Sequence, residues 1–484
     1  MTSIKQEMIY GVFWSAVEKY SGIFIALIVS AVLARLISPK DFGTVAIVTV
    51  IINFLSIFAT MGIFPAIIQR NDLTQKNLNS IFTYSILGGA FFAFLLFCLS
   101  WSIAGFYSDN SLAIICQILS INIFFIALNL VPNALMAKNK RFKQIAQRAL
   151  ILQLFSGIIS IIAAYNGLGV YSLLISPIVS SIGMFIFNIH YYPCRIDFTF
   201  DWSPLKKIFS YSVYQFLFEF FNYFSRNADK LIIGKYLDMA ALGYYDKSYR
   251  LMMLPLQNVT SVINPVMQPV LSSLQDDKQE LAIKYNRIIK IIAIISFPLS
   301  VFLYFSASEL IRIVYGNNWD AAIPAFRILS LSLPLQMIMS TSGAIFQASN
   351  STQAMFYIGL RNTVCTMAGF IIGAAVFGTI EAVAWAWCIT VFFNFIFSYI
   401  TLYRKILHSS FGGVLRELKI PFFVAILLTC SIGCIDYFQF FDNMYLSLLI
   451  KVLLSILVAL VIYYRTHQYN FSNIFGKVGK ILHK

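Results

Sequence analysis

The sequence has little charge: only 11% of its 484 residues are Asp, Glu, Lys or Arg. Soluble domains carry roughly 25% charged residues, so a water-soluble globular protein is excluded. Acids are the scarcer sign, 20 against 35 bases, for a net charge of +15. Most of the cations fall in connections and helix ends, where membrane topology explains them, and no nucleic-acid partner is expected. The seven cysteines are scattered and form no disulfide framework. Cys430 and Cys434, at i,i+4, read as packing residues and not as metal ligands. The four histidines (His190, His408, His467 and His483) lie in connections or the tail, away from any metal site or intramembrane proton relay. There is no G-x-x-x-x-G-K-[ST] loop, no H-E-x-x-H pair and no G-x-S-x-G elbow. No cofactor, metal or catalytic residue is therefore expected. The longest outer connection, 307–321, is too short for the catalytic loop of a membrane glycosyltransferase, polymerase or ligase. The opening MTSIKQEMIYGVFWSA has no cleavable signal pattern, so the first apolar stretch is expected to remain as a helix.

Apolar residues are what is abundant. They make up 59% of the chain, and mean hydropathy is +0.78. At about 20 residues per crossing this supports about 14 crossings, which leaves room only for short connections. The expected fold is an all-α polytopic membrane protein with about 14 transmembrane helices. Hydropathy and Gly/Pro punctuation place the first six spans at Ile9–Leu36, Thr44–Ile68, Leu78–Ala104, Leu112–Met136, Ile145–Tyr165 and Val170–Ile189. The next six are Phe209–Ile233, Leu242–Leu271, Ile283–Ser306, Ala322–Gln347, Met355–Val376 and Ala382–Tyr403, followed by a pair at Ile420–Ile435 and Tyr445–Tyr464. The expected domains are a six-helix lobe (1–190), a cytoplasmic linker (191–208), a second six-helix lobe (209–403), an additional helix pair (404–464) and a basic cytoplasmic tail (465–484).

An even number of spans puts both termini on one side. Connections on that side hold most of the loop cations, among them Arg70, Lys76, Lys138, Lys140, Arg141, Lys143, Arg195 and Arg404, against Lys40, Lys235 and Arg312 opposite. A bias of about six to one predicts cytoplasmic termini. The chain also repeats itself. Leu33-Ala34-Arg35-Leu36-Ile37-Ser38-Pro39-Lys40-Asp41-Phe42-Gly43 is similar to the stretch from Ile233 to Gly243, and Ala137-Lys138-Asn139 echoes Ala348-Ser349-Asn350. Offsets of about 200 to 211 residues, six spans, make the halves parallel repeats, the layout of an alternating-access transporter.

Charge inside the apolar spans marks the candidate site. The seventh and eighth spans hold Arg226, Asp229, Lys230, Asp246, Lys247 and Arg250. Facing lipid together, these six would cost on the order of 15–20 kcal/mol before snorkelling, so they line a wet cleft or pair closely. Helical spacing allows Asp246 to pair with Arg250 and Arg226 with Asp229, but two acids cannot neutralise four cations. Both an anionic-ligand site and a structural ion-pair hairpin are consistent with this pattern. Lys19 and Arg361 are further intramembrane cations, whereas Arg148 and Lys290 read as helix-end side chains that snorkel. Intramembrane prolines mark candidate kinks, and Pro255, Pro265 and Pro269 all fall in span eight.

The stretch Asn227-Ala228-Asp229-Lys230-Leu231-Ile232-Ile233-Gly234-Lys235-Tyr236-Leu237 resembles the polysaccharide transport family. So do Ala241-Leu242-Gly243-Tyr244-Tyr245, Leu254-Pro255-Leu256-Gln257-Asn258 and Leu271-Ser272-Ser273-Leu274-Gln275-Asp276-Asp277, together with the Leu33–Gly43 opening and the twelve-plus-two layout. These are bacterial Wzx-type flippases of the multidrug/oligosaccharidyl-lipid/polysaccharide (MOP) exporter superfamily. The resemblance implies two six-helix lobes around a cationic cavity in the bacterial inner membrane. It also implies alternating-access movement of undecaprenyl-diphosphate-linked oligosaccharide, for O-antigen, capsule or exopolysaccharide assembly, and an extra helix pair serving the lipid tail. Under it, Arg226, Lys230, Lys247, Arg250, Lys19 and Arg361 are candidate head-group ligands, since guanidinium and ammonium donors replace phosphate hydration. Asp229, Asp246, Glu18 and Glu219 are candidates for organising charge or for answering a coupling ion, proton or sodium. The expected partners are the lipid-linked oligosaccharide, membrane lipids and other polysaccharide-assembly proteins, and the expected working form is a monomer. Two other readings stand beside this one: an ion-coupled small-molecule antiporter of the same superfamily, and a membrane polysaccharide polymerase or ligase.

Overall fold

The computed structural model describes residues 4–60, 63–70, 72–196, 223, 226–272, 274–275, 277–438 and 443–466. Its first helices are α1 (Ile4–Leu36), α2 (Pro39–Thr60), α3 (Ile63–Gln69), α4 (Gln75–Tyr107), α5 (Ser111–Lys138), α6 (Phe142–Tyr165) and α7 (Tyr171–Tyr191). After α8 (226–236) come α9 (Met239–Ser272), α10 (Lys278–Phe305), α11 (Ala307–Tyr315), α12 (Ile323–Leu331), α13 (Leu333–Met339) and α14 (Ser342–Ala348). The chain continues through α15 (Thr352–Ile371), α16 (Ile380–Thr401), α17 (Gly412–Tyr437) and α18 (Met444–Arg465). Eleven described helices are long and apolar enough to cross a membrane, and α12–α13–α14 makes one more as a bent pair. With α9, 34 residues long, the described helices are roughly consistent with about fourteen crossings.

Local sequence explains where these helices start and bend. Asp277 caps α10, accepting from the amides of Gln279 (3.0 Å) and Glu280 (2.9 Å), and Asn443 does the same for α18. The tenth span is bent by 49° between Leu331 and Leu333, beside Pro334, one of the intramembrane prolines that mark candidate kinks. Pro334 lies in the first turn of α13, where its missing N–H costs nothing, so the chain restarts there at a new angle. α9, by contrast, runs unbroken through Pro255, Pro265 and Pro269. Cys430 and Cys434 lie exposed on α17 and do not pack internally.

Two compact units emerge, Met1–Asp246 and Lys247–Lys484, and the division falls within α9. In the first, α4 packs on α5, α1 on α6, and α5 and α6 on α7. Small residues permit the close approaches: a Cβ on Gly157 would lie 2.6 Å from Val29, and one on Gly183 would lie 2.4 Å from Leu152. Ile67, Ile81, Val131 and Ala134 form part of its fully buried core. In the second unit, α10 packs on α17, α12 and α13, α15 packs on α16, and Val424, Leu428 and Ile432 form a core with Tyr463. Outward surfaces are apolar in both, as at Val12 and Phe94 or Val376 and Phe423, the arrangement of a lipid-solvated protein.

The internal repeat is visible in the backbone. The Ile37 amide donates to Leu33 and that of Phe42 to Ser38; 200 positions later, Leu237 donates to Ile233 and Leu242 to Asp238. Ser38 and Asp238 play the same capping role, accepting from the amides of Asp41 and Ala241. The second repeated turn sets a register one residue different from that of the sequence echo. Lys140 (φ 54°) and Asn350 (φ 55°) are the equivalent left-handed residues, so the offset there is 210.

Candidate functional site

α8 is anchored to the first unit through backbone oxygens. The Lys235 ammonium donates to the Phe106 carbonyl at 2.6 Å and sits 4.2 Å from the Phe106 ring centre. Upstream, the Tyr223 hydroxyl donates to the Val50 carbonyl at 2.6 Å. A Cβ on Gly234 would come within 2.6 Å of Ile47, so this face of α8 lies directly on α2.

On this frame the charged side chains sort into distinct environments. Lys230 pairs with Asp246 across α8 and α9 at 2.9 Å, both side chains nearly buried. Helical spacing had offered Asp246–Arg250; the cross-helix pair depends on which faces meet and is invisible to spacing. Asp229 is buried beside them, accepts from the Lys230 amide at 2.8 Å and lies within electrostatic range of Asp246. Two carboxylates thus flank one ammonium. The next residue on α9, Lys247, is buried in the second unit with its ammonium 5.3 Å from the Tyr315 ring centre. Arg226 and Arg250 are exposed.

The remaining candidates each have their own surroundings. Lys19 is half-buried on α1, 6.0 Å from the ring centre of Tyr20. Glu18 is half-buried within electrostatic range of Arg148. Arg361 is held between α15 and α16, donating to Asn362 (2.9 Å) and Ser398 (3.2 Å) with Phe397 against its guanidinium. Glu219 lies outside the described residues. Among the described residues, no three His, Cys, Asp or Glu side chains converge as a metal site needs.

Three buried polar groups escaped the sequence reading. Arg148 does not snorkel: it is 3% exposed and donates to Asn188 and to Asn133 (3.3 Å), while Asn188 donates to Asn129 (2.7 Å). Lys451, in the middle of an apolar span, binds Glu309 (2.6 Å), Asp436 (2.7 Å) and the Phe305 carbonyl (2.9 Å). Its signal was there to be read, since a lysine within a span predicts an internal partner. Tyr285 hydrogen-bonds Tyr399 (2.8 Å) and Thr341 (3.1 Å) in a buried cluster, and no sequence feature distinguishes these tyrosines from lipid-facing ones.

Long apolar helices, a backbone repeat and ionised side chains held inside the spans define a polytopic helical membrane protein with a charged interior. The description "Polysaccharide biosynthesis protein" belongs to a family model that matches residues 32–324, more than half of the chain, and the chain belongs to this family. The teichuronic acid biosynthesis protein TuaB of Bacillus subtilis (strain 168) is 24% identical over 95% of this chain and 94% of its own. The lipopolysaccharide biosynthesis protein WzxC of Escherichia coli (strain K12) is 23% identical over 88% and 86%. Among solved structures, lipid II flippase MurJ in an inward closed conformation matches with a TM-score of 0.73 at 18% identity, covering 95% of this chain and 100% of its own. An inward-facing multidrug transporter of the MOP superfamily matches at 0.61 and 14% identity, over 80% and 96%. The chain shares its fold with both of these structures.

Proposed function

We propose that the protein is a flippase for undecaprenyl-diphosphate-linked oligosaccharide, working by alternating access in the bacterial inner membrane with both termini cytoplasmic. The carrying observation is the charge distribution on α8 and α9. Lys230 pairs with Asp246, and Arg226 and Arg250 present exposed guanidinium groups on helices that belong to an apolar bundle. Guanidinium groups suit a diphosphate, because their planar donor forks match phosphate oxygens two at a time. Lys247, Lys19 and Arg361 are secondary ligands in this reading. Asp229, Asp246, Glu18 and Glu219 organise the cations or answer a coupling proton or sodium ion. The lobes would be 1–190 and 209–403, with the pair within 404–464 serving the lipid tail. The names of TuaB and WzxC support a polysaccharide pathway, and MurJ supplies a lipid-flipping precedent on the same fold.

The test is an Arg226→Ala/Arg250→Ala double variant in a strain lacking the chromosomal gene. Loss of surface polysaccharide at unchanged membrane abundance is expected; wild-type polysaccharide would remove both residues from the site. The likeness to a multidrug transporter supports a second reading, an ion-coupled antiporter of small molecules. Under that reading the deletion strain gains drug sensitivity and keeps its polysaccharide. A membrane polymerase or ligase would instead change chain length or attachment, with repeat units still reaching the outer surface.

A further inference from the structure

We infer that Arg327, on α12, is a further binding residue for the diphosphate head group, set near Arg250 on a water-facing side of the second unit. This role rests on the flippase reading for the identity of the ligand. Arg327 is half-buried, and its Nε is closed off from solvent with no hydrogen-bond partner. Other arginines of the described residues that are buried or half-buried have partners. Arg148 has its asparagines, Arg361 has Asn362 and Ser398, and Arg70 has Asp72. Among the described residues, the Arg327 guanidinium has neither an ion pair nor a hydrogen bond. A partly desolvated charge left this way is costly, and an oxyanion arriving from outside recovers the cost.

Contacts among three helices carry Arg327 close to Arg250. Ser248 on α9 donates to the Ala322 carbonyl, at the start of α12, at 2.8 Å. Tyr249, the neighbour of Arg250, meets the Trp387 ring of α16 edge to face with centres 6.1 Å apart. The next residue of α16, Cys388, donates to the carbonyl of Ile328, the neighbour of Arg327, at 2.9 Å. α9 and α12 run in the same direction, separated by the return crossing of α10. Arg250 lies two residues beyond Ser248 and Arg327 five beyond Ala322, so their depths differ by about 4.5 Å, less than one helical turn.

Accessible residues show what this side of the unit faces. Along the tenth span they include Gln336, Ser340, Ser342 and Gln347, and along α9 Arg250 and Gln257. On α18, by contrast, every fully exposed residue from Leu446 to Val461 is apolar. Lipid suits the second kind of surface and water the first. A snorkelling arginine would put its whole guanidinium into water, whereas here Nε is shut in. The planar fork of Arg327 matches phosphate oxygens, and with Arg250 one turn away two forks can serve two phosphates.

Calorimetric titration of the full chain, in phosphatidylcholine nanodiscs, with farnesyl diphosphate tests the assignment. Arg327→Ala should weaken binding about tenfold to a hundredfold, the effect of losing one charge-assisted contact. Arg327→Lys should recover part of it, because an ammonium keeps the charge and loses the fork. Without ligand, Arg327→Ala should melt at the wild-type temperature, since no other side chain depends on it; a lower melting temperature with unchanged binding makes the residue structural and overturns the role. Arg416→Ala, which removes an exposed cation on α17, should bind like wild type. An equal loss there reduces the effect to net charge and overturns the role as well. Wild-type affinity in Arg327→Ala overturns the role and leaves the flippase reading in place, whereas a wild-type chain that binds no farnesyl diphosphate overturns both. Inorganic diphosphate should bind more weakly than the lipid; equal affinity would overturn the lipid head group as the occupant.

Discussion

Gly43 and Gly243 are reciprocal: each reserves the space that the other's helix fills with a backbone carbonyl. A Cβ on Gly43 would lie 1.7 Å from the Met239 oxygen, and one on Gly243 would lie 2.0 Å from the Pro39 oxygen. Equivalent positions of the repeat therefore touch each other across a local two-fold relationship at the starts of α2 and α9. Only hydrogen fits at either position, so both halves of the repeat keep glycine there.

Gly43→Ala and Gly243→Ala should each force the two helix starts apart. The cost expected of overpacking is about 1–3 kcal/mol. Gly88→Ala, in the interior of α4 with nothing within 4 Å, should be neutral or stabilise by about 0.5–1 kcal/mol. Thermal unfolding in detergent separates them; matching melting temperatures for Gly43→Ala and Gly88→Ala would contradict the close contact.

Lys451→Ala should be among the most damaging single changes in the second unit. It leaves Glu309 and Asp436 facing each other without the cation that joins them, in a place where Lys451 is 2% exposed. Removing one member of a buried ion pair costs about 3–5 kcal/mol. Partial relief is expected from adding Glu309→Gln to Lys451→Met. A double variant no more stable than Lys451→Met would argue against carboxylate repulsion as the cause.

Arg148→Ala should destabilise the first unit by about 2–3 kcal/mol, because charge-assisted hydrogen bonds to Asn188 and Asn133 disappear from a buried site. Arg148→Lys should recover part of this, since an ammonium can reach only some of the partners. Unchanged unfolding of Arg148→Ala would return Arg148 to the snorkelling role its sequence position suggests.

Cys194, after the end of α7, should label slowly. Burial pushes its thiol up to about 11, against an ordinary value of 9.0. Because the thiolate is the reactive form, this pKa leaves roughly 100-fold less of it at pH 8. In a variant retaining only this cysteine, alkylation should accelerate as pH rises toward 11 and should be fast at pH 8 once the chain is unfolded in detergent. Equal rates folded and unfolded at pH 8 would rule out the buried environment.

Much of the architecture was legible because its signals are local. Span positions follow hydropathy, and the turns at Ser38 and Asp238 follow capping chemistry, so the repeat could be read within a few residues. The bend of the tenth span was legible at Pro334, one of the prolines that mark candidate kinks, whereas its angle was not, because hydropathy is blind to direction. The candidate site was half legible. Spacing found the charges of α8 and α9 but not the Lys230–Asp246 bond, and it missed Lys451, whose partners lie on two other helices.

Sequence alone determined that this chain lives in a membrane, crosses it about fourteen times and is built from a repeated half, because each of those properties is carried by residues near one another along the chain. Tertiary structure decided the rest: which lysine meets which carboxylate, that Arg148 is held by asparagines, and that two glycines 200 residues apart share one contact. The physical reason is that a helix shows all its faces to the reader of a sequence, and only packing selects the face each neighbour receives.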